Sequence, residues 1–132
     1  MPYSILIIAH RKPGTSPAEF KQHYENVHIP LLKELSGSLF PITHERRYLQ
    51  RTEGASHDAA SNPATVLVGT QGQFEYDSYA QLTWEDAEAF QKFFAVISQP
   101  EAAARITADE EMFLIREKTG IVVSGDAIVS KR

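Results

Sequence analysis

The chain of 132 residues contains no cysteine, which excludes disulfide staples, thiolate nucleophiles and zinc knuckles and leaves the redox compartment open. Nor is there a surplus of positive charge. Lys and Arg number 13 against 17 Asp and Glu, for a net charge of -4. The basic residues fall in short groups such as Arg11-Lys12 and Arg46-Arg47 and make no stripe that would neutralise a row of phosphates. No nucleic-acid partner is expected. The apolar run at 5–9 is too short to span a membrane and has neither the basic lead nor the cleavage site of a signal peptide. The expectation is a cytoplasmic protein with no membrane partner. Low-complexity tracts and repeats are also missing.

What is present, 42% hydrophobic and 23% charged residues, is enough for one globular domain, 1–132, with a long loop at about 51–63 and a tail at 125–132. Residues 3–9 are apolar on both parities: Ile5 and Ile7 face one way, Leu6 and Ile8 the other, as in a strand buried on both faces. Ser16, Pro17 and Glu19 form a capping box with proline at the first helical position. The helix behind it carries Phe20, Tyr24, Val27, Leu31 and Leu35 at core-face spacing and stops at Gly37. Pro30 lacks the amide that would bond the Asn26 carbonyl and is expected to kink this helix two residues after His28. There follow a strand at 40–50, a short extended piece at Val66-Leu67-Val68, and an alternating strand at 73–84. A helix at 85–97, a helical turn from Pro100 to about Glu111, and a short buried strand at Ile121-Val122-Val123 complete the set.

That order is the split βαβ pattern of an α+β, ferredoxin-like fold with an antiparallel sheet and helices on one face. The helices cover one face only, yet the first strand is apolar on both. A second copy is therefore expected to seal the other face, sheet against sheet, as a homodimer.

The run Arg11-Lys12-Pro13-Gly14-Thr15-Ser16-Pro17, then Phe20, then His23-Tyr24-Glu25-Asn26-Val27-His28-Ile29-Pro30-Leu31, resembles the signature of the EthD family. Two further stretches resemble the same family, from Tyr76-Asp77-Ser78 through Leu82-Thr83-Trp84 to Phe90, and from Pro100 through Asp109-Glu110-Glu111 to Phe113. The resemblance implies a dimeric α+β barrel that works without cofactor. It is closest to fungal polyketide-pathway members regarded as decarboxylases of aromatic carboxylic acids. Related barrels include cyclases, isomerases and cofactor-free monooxygenases, so decarboxylation of an aromatic or polyketide-like β-keto acid is the expected activity, with those chemistries and plain ligand binding as alternatives.

The candidate catalytic residues are His28, His23 and Asp77. On a regular helix the two histidines flank the core stripe on opposite sides, about 140° apart, and each can act as general acid or base if partly desolvated. Their i, i+5 spacing is wrong for two ligands on one helical face, so no metal is expected. Asp77, at the start of the third strand, orients a histidine only if that strand is bulged; otherwise it bonds a backbone amide, Arg46 or Arg47. Tyr24, Tyr48, Trp84 and Phe94 are the candidate substrate-binding residues, with core packing as the plain alternative for each. His10, His44 and His57 read as solvated, with His44 within possible reach of a cleft. Asp109-Glu110-Glu111 reads as a solvated helix face.

Overall fold

The computed structural model describes residues 1–54 and 61–132. Its centre is β1 (Tyr3–Ala9), flanked by two antiparallel neighbours, β3 (Ser78–Trp84) and β4 (Gly120–Ser124); β2 (Thr43–Tyr48) lies outside β3, so the sheet order is β2-β3-β1-β4. Opposite Ile5 and Ile7 stand Leu82 and Ala80 on one side and Val123 and Ile121 on the other. Four helices cover this face: α1 (Pro17–His23), α2 (Ile29–Ser36), α3 (Ala87–Ile97) and α4 (Pro100–Phe113). The fold is the α+β, ferredoxin-like one expected. Among the described residues no helix is long and apolar enough to cross a membrane.

Two apolar groups make the core. One joins Ala9 to Phe20, Tyr24, Ile29, Leu32 and Phe113; the other joins Ile5 to Ala80, Leu82, Trp84 and Phe93. The capping box at Ser16 and Glu19 forms as read, and α2 stops at Gly37, whose φ of 54° suits glycine.

The first helix departs from the expectation of one regular helix. Residues Tyr24–His28 form one π-helical turn, closed by the Ile29 amide donating to the Tyr24 carbonyl, five residues back. Pro30 then stands at the second position of α2, directly after the wide turn. The wide turn shifts the buried stripe by one position: Ile29, Leu32 and Ser36 are buried, while Val27 is 46% exposed and Leu31 and Leu35 are only half-buried.

Other expectations need correcting as well. The strand read at 73–84 starts at Ser78, because Gln71–Phe74 is a tight turn fixed by reciprocal bonds between Thr70 and Gln73. Val66-Leu67-Val68 is not a strand, and Leu67 and Val68 lie exposed. The last strand is not buried within one chain, for Ile121, Val122 and Val123 on this edge are all exposed. The neck of the long loop is closed by the Thr52 amide donating to the Pro63 carbonyl (3.0 Å) and the Thr65 amide to that of Gln50 (3.1 Å). Its tip, with His57, lies outside the described residues.

Candidate active site

The π turn decides where the histidines go. Five residues now close one turn, so His23 and His28 return to nearly the same side. There they meet Asp109 of α4: His23 Nε2 and His28 Nδ1 each lie 2.8 Å from a different oxygen of its carboxylate. A carboxylate only accepts, so both ring nitrogens donate, and the nitrogen of His28 that can carry a lone pair is Nε2. Phe113, one turn along α4, stacks on His23 with centroids 4.4 Å apart and touches His28 at 5.1 Å. Asp109 is thus the shared partner of both histidines, its side chain only 10% exposed, and not the solvated residue expected. Its signal was present in the sequence: Ala102, Ile106, Asp109 and Phe113 fall at i, i+4, i+7 and i+11, placing a carboxylate within an apolar stripe.

His28 is buried and lines a cavity of 190 Å³ between helices and sheet, walled by Ile5, Ile7, Leu32, Leu82, Phe90 and Phe93 among others. Cavities of roughly 150 Å³ accept benzene, so one aromatic ring fits, and Phe94, 56% exposed, stands at the mouth. The ionisable side chains on the wall are Tyr24, His28, His44 and Glu110; among the described residues no Lys or Arg lines it. Tyr24 packs edge-on against both His28 (5.6 Å) and His44 (6.2 Å), and burial pushes its hydroxyl up to about 12, so it is a donor at neutral pH.

His44 is half-buried and not the solvated residue expected. It faces the helices from β2, stacks on Phe40, and is held neutral, with a pKa of about 4, by burial and then by the nearby Arg46 guanidinium. The alternation of β2, with His44, Arg46 and Tyr48 on one parity, is what turns it inward.

The remaining candidates lie elsewhere. Tyr48 donates to Glu25 (2.5 Å) and packs on Phe20 and Tyr24. Arg46 grips the same carboxylate through Nε (2.5 Å) and Nη2 (2.6 Å), holding Glu25 down at about 2. Trp84 is a core residue, its Nε1–H donating to the Leu39 carbonyl at 3.1 Å. Asp77 is not brought to either histidine. It accepts from the Arg11 amide (2.7 Å) and Arg11 Nε (3.2 Å), with Arg51 Nε at 2.8 Å. The backbone bond matches expectation, but the arginines are Arg11 and Arg51, since Arg46 and Arg47 lie on β2 and Arg46 is taken by Glu25. A larger, more open hollow of 560 Å³ adjoins this knot. Arg51 is spent there on Asp77 and on the carbonyls of Asn62, Phe74 and Tyr76, which ties down the loop neck. The apolar cavity with converging imidazoles is therefore the candidate site. Among the described residues no three acidic or His side chains converge as a metal would need.

The EthD domain pattern matches residues 12–117. The chain belongs to the EthD domain family. Solved structures agree with this EthD fold at low identity. The protein At3g17210 of Arabidopsis thaliana is 16% identical with a TM-score of 0.59, covering 98% of this chain and 99% of its own. An EthD family protein of Bacillus halodurans is 16% identical with a TM-score of 0.52, covering 95% and 99%. A dimeric ferredoxin-like protein of Thermobifida fusca is 13% identical with a TM-score of 0.51, covering 94% and 90%. A comparison with curated proteins found no match.

Proposed function

We propose that this EthD-domain chain is an enzyme that decarboxylates an aromatic or polyketide-like β-keto acid, with His28 as the proton carrier. The carrying observation is the imidazole of His28, anchored through Nδ1 by Asp109 and lining an apolar cavity with no Lys or Arg among the described residues of its wall. A substrate carboxyl entering that cavity gives its proton to His28 Nε2, and Asp109 stabilises the imidazolium. The imidazolium so formed is the one cation facing the carboxylate that results, and the rest of the described wall, largely apolar and without Lys or Arg, leaves that charge poorly solvated, so the site favours its loss as carbon dioxide. As the carbon–carbon bond breaks, its electron pair moves into the keto group, whose oxygen takes hydrogen bonds from the Tyr24 hydroxyl and His44. His28 then returns the proton to the α-carbon. Atoms balance as keto acid to ketone plus carbon dioxide, and because the keto group is the electron sink, this chemistry needs no metal or organic cofactor.

The working unit in this reading is a homodimer. On the sheet face away from the helices, Leu6 and Ile8 of β1 lie beside Val122 of β4 and Tyr79 of β3, an apolar surface suited to a second sheet. The Thermobifida fusca protein of similar fold is described as dimeric.

The test incubates purified protein with aromatic β-keto acids under nitrogen and follows carbon dioxide and product mass. Loss of one carbon dioxide without oxygen, abolished in His28→Ala, is expected. A product of unchanged mass instead assigns the same base to enolisation, as in cyclisation or isomerisation. A requirement for oxygen assigns a monooxygenase, and binding without turnover a ligand carrier. Each of these three results overturns the decarboxylase.

A further inference from the structure

His44 carries one proton shared between two nitrogens, and which nitrogen holds it decides whether the cavity meets a donor or a lone pair. We propose that Arg46 is a positioning residue that fixes His44 in its Nε2–H tautomer, so that a neutral donor and the His28 base share one cavity. This deepens the decarboxylase reading above, in which His44 binds the keto oxygen.

The argument begins at Glu25 in the π turn. Its two oxygens take Arg46 Nε and Nη2 at 2.5 and 2.6 Å, and Tyr48 adds a third bond at 2.5 Å. The fork is therefore pinned, and its remaining nitrogen, Nη1, is turned toward His44, 3.0 Å from the carbonyl oxygen and 3.4 Å from Nδ1. Guanidinium has five N–H groups and no acceptor. The ring's own carbonyl, the backbone acceptor within its reach, already takes Arg46 Nη1, and an Nδ1–H aimed at the guanidinium would set donor against donor beside a full positive charge, so Nδ1 presents its lone pair. The ring is neutral at pH 7, and its proton falls to Nε2. The ring lines the cavity and is held in place by Phe40 on its face and Tyr24 at its edge. Asp109 sets the opposite state on His28, with Nδ1 protonated and Nε2 open. Two imidazoles on one wall are thus given complementary roles by a cation behind one and an anion behind the other.

The test reads the tautomer directly, by long-range proton–nitrogen correlation on 15N-labelled protein at pH 7 with no substrate present. The expected native spectrum shows His44 with protonated Nε2 and bare Nδ1. Arg46→Met is expected to replace that single tautomer by an exchange average, and Arg46→Gln, whose side-chain oxygen can accept, to move it toward Nδ1–H. Gln serves alone if the Met variant does not fold. An Nδ1–H His44 in the native protein, or an unchanged tautomer in a folded Arg46 variant, overturns the assignment. Because no turnover is read, failure of decarboxylation in the experiment above leaves this result standing, and the reverse holds too.

Discussion

His23 and His28, five residues apart on one helical segment, donate to the two oxygens of a single carboxylate, each across 2.8 Å. Asp109 therefore orients the cavity imidazole and compensates its charge when it takes a proton. Asp109→Asn offers one acceptor and one donor in place of two acceptors, so one of the two rings must turn or change tautomer. The expected outcome is a fall in kcat of about 10²- to 10⁴-fold, the range typical of losing a positioned acid or base, with KM little changed. Steady-state kinetics on a β-keto acid found by the screen under nitrogen checks this, with circular dichroism confirming the fold.

Acid should weaken the protein in a defined window. The His44 pKa is depressed from 6.5 to about 4 in the folded chain, so below pH 6.5 the unfolded state binds the proton first and stability falls until pH 4. The contribution lost is at most about 3 kcal/mol. Glu25, held at about 2 by Arg46 and Tyr48, extends the loss below pH 4.5 by the same sign. Urea unfolding at pH 7 and pH 4.5 should differ, and His44→Phe should shrink the difference. An unchanged slope between the two proteins would contradict the burial of a neutral imidazole.

Asp77 should matter to stability and not to the chemical step. Its removal leaves the Arg11 and Arg51 guanidiniums, each side chain 5% exposed, without their shared counter-charge. Asp77→Ala is expected to cost about 3–5 kcal/mol. The unfolding free energy from urea titration should drop by that amount while turnover per folded molecule stays within about threefold, well under the loss for an acid or base; a larger loss in kcat would return Asp77 to the chemistry.

The outer sheet face offers the test of assembly. Val122→Asp sets a charge beside Leu6, and is expected to convert a dimer to a monomer in light scattering while leaving the secondary structure unchanged, since Val122 already lies exposed in the single chain. A monomeric native protein would contradict the paired arrangement.

The sheet, its order and the helix starts were legible because each rests on local chemistry: alternating Ala80, Leu82 and Trp84, the box at Ser16 and Glu19, the stop at Gly37. His28 and Tyr24 could be read as cavity residues for the same reason. The partnership at Asp109 could not, because a wheel of regular pitch sends His23 and His28 to opposite flanks, and only a π turn reunites them. Asp77 was misplaced on a strand because the alternation at Phe74 and Tyr76 ran into it from a turn that Thr70 and Gln73 hold closed. Val27 was misassigned to the core by the same one-residue slip that buried Ile29.

One surplus position in the first long helix is what gathers the two imidazoles, and so the chemistry is written in spacing as much as in residue identity. Excising Asn26, an exposed residue of that wide turn, would restore ordinary pitch and swing His23 about 100° relative to everything after it. Every side chain named above would survive such a deletion, and an alanine scan would pass over the position; length itself acts there as a determinant that substitution experiments do not sample.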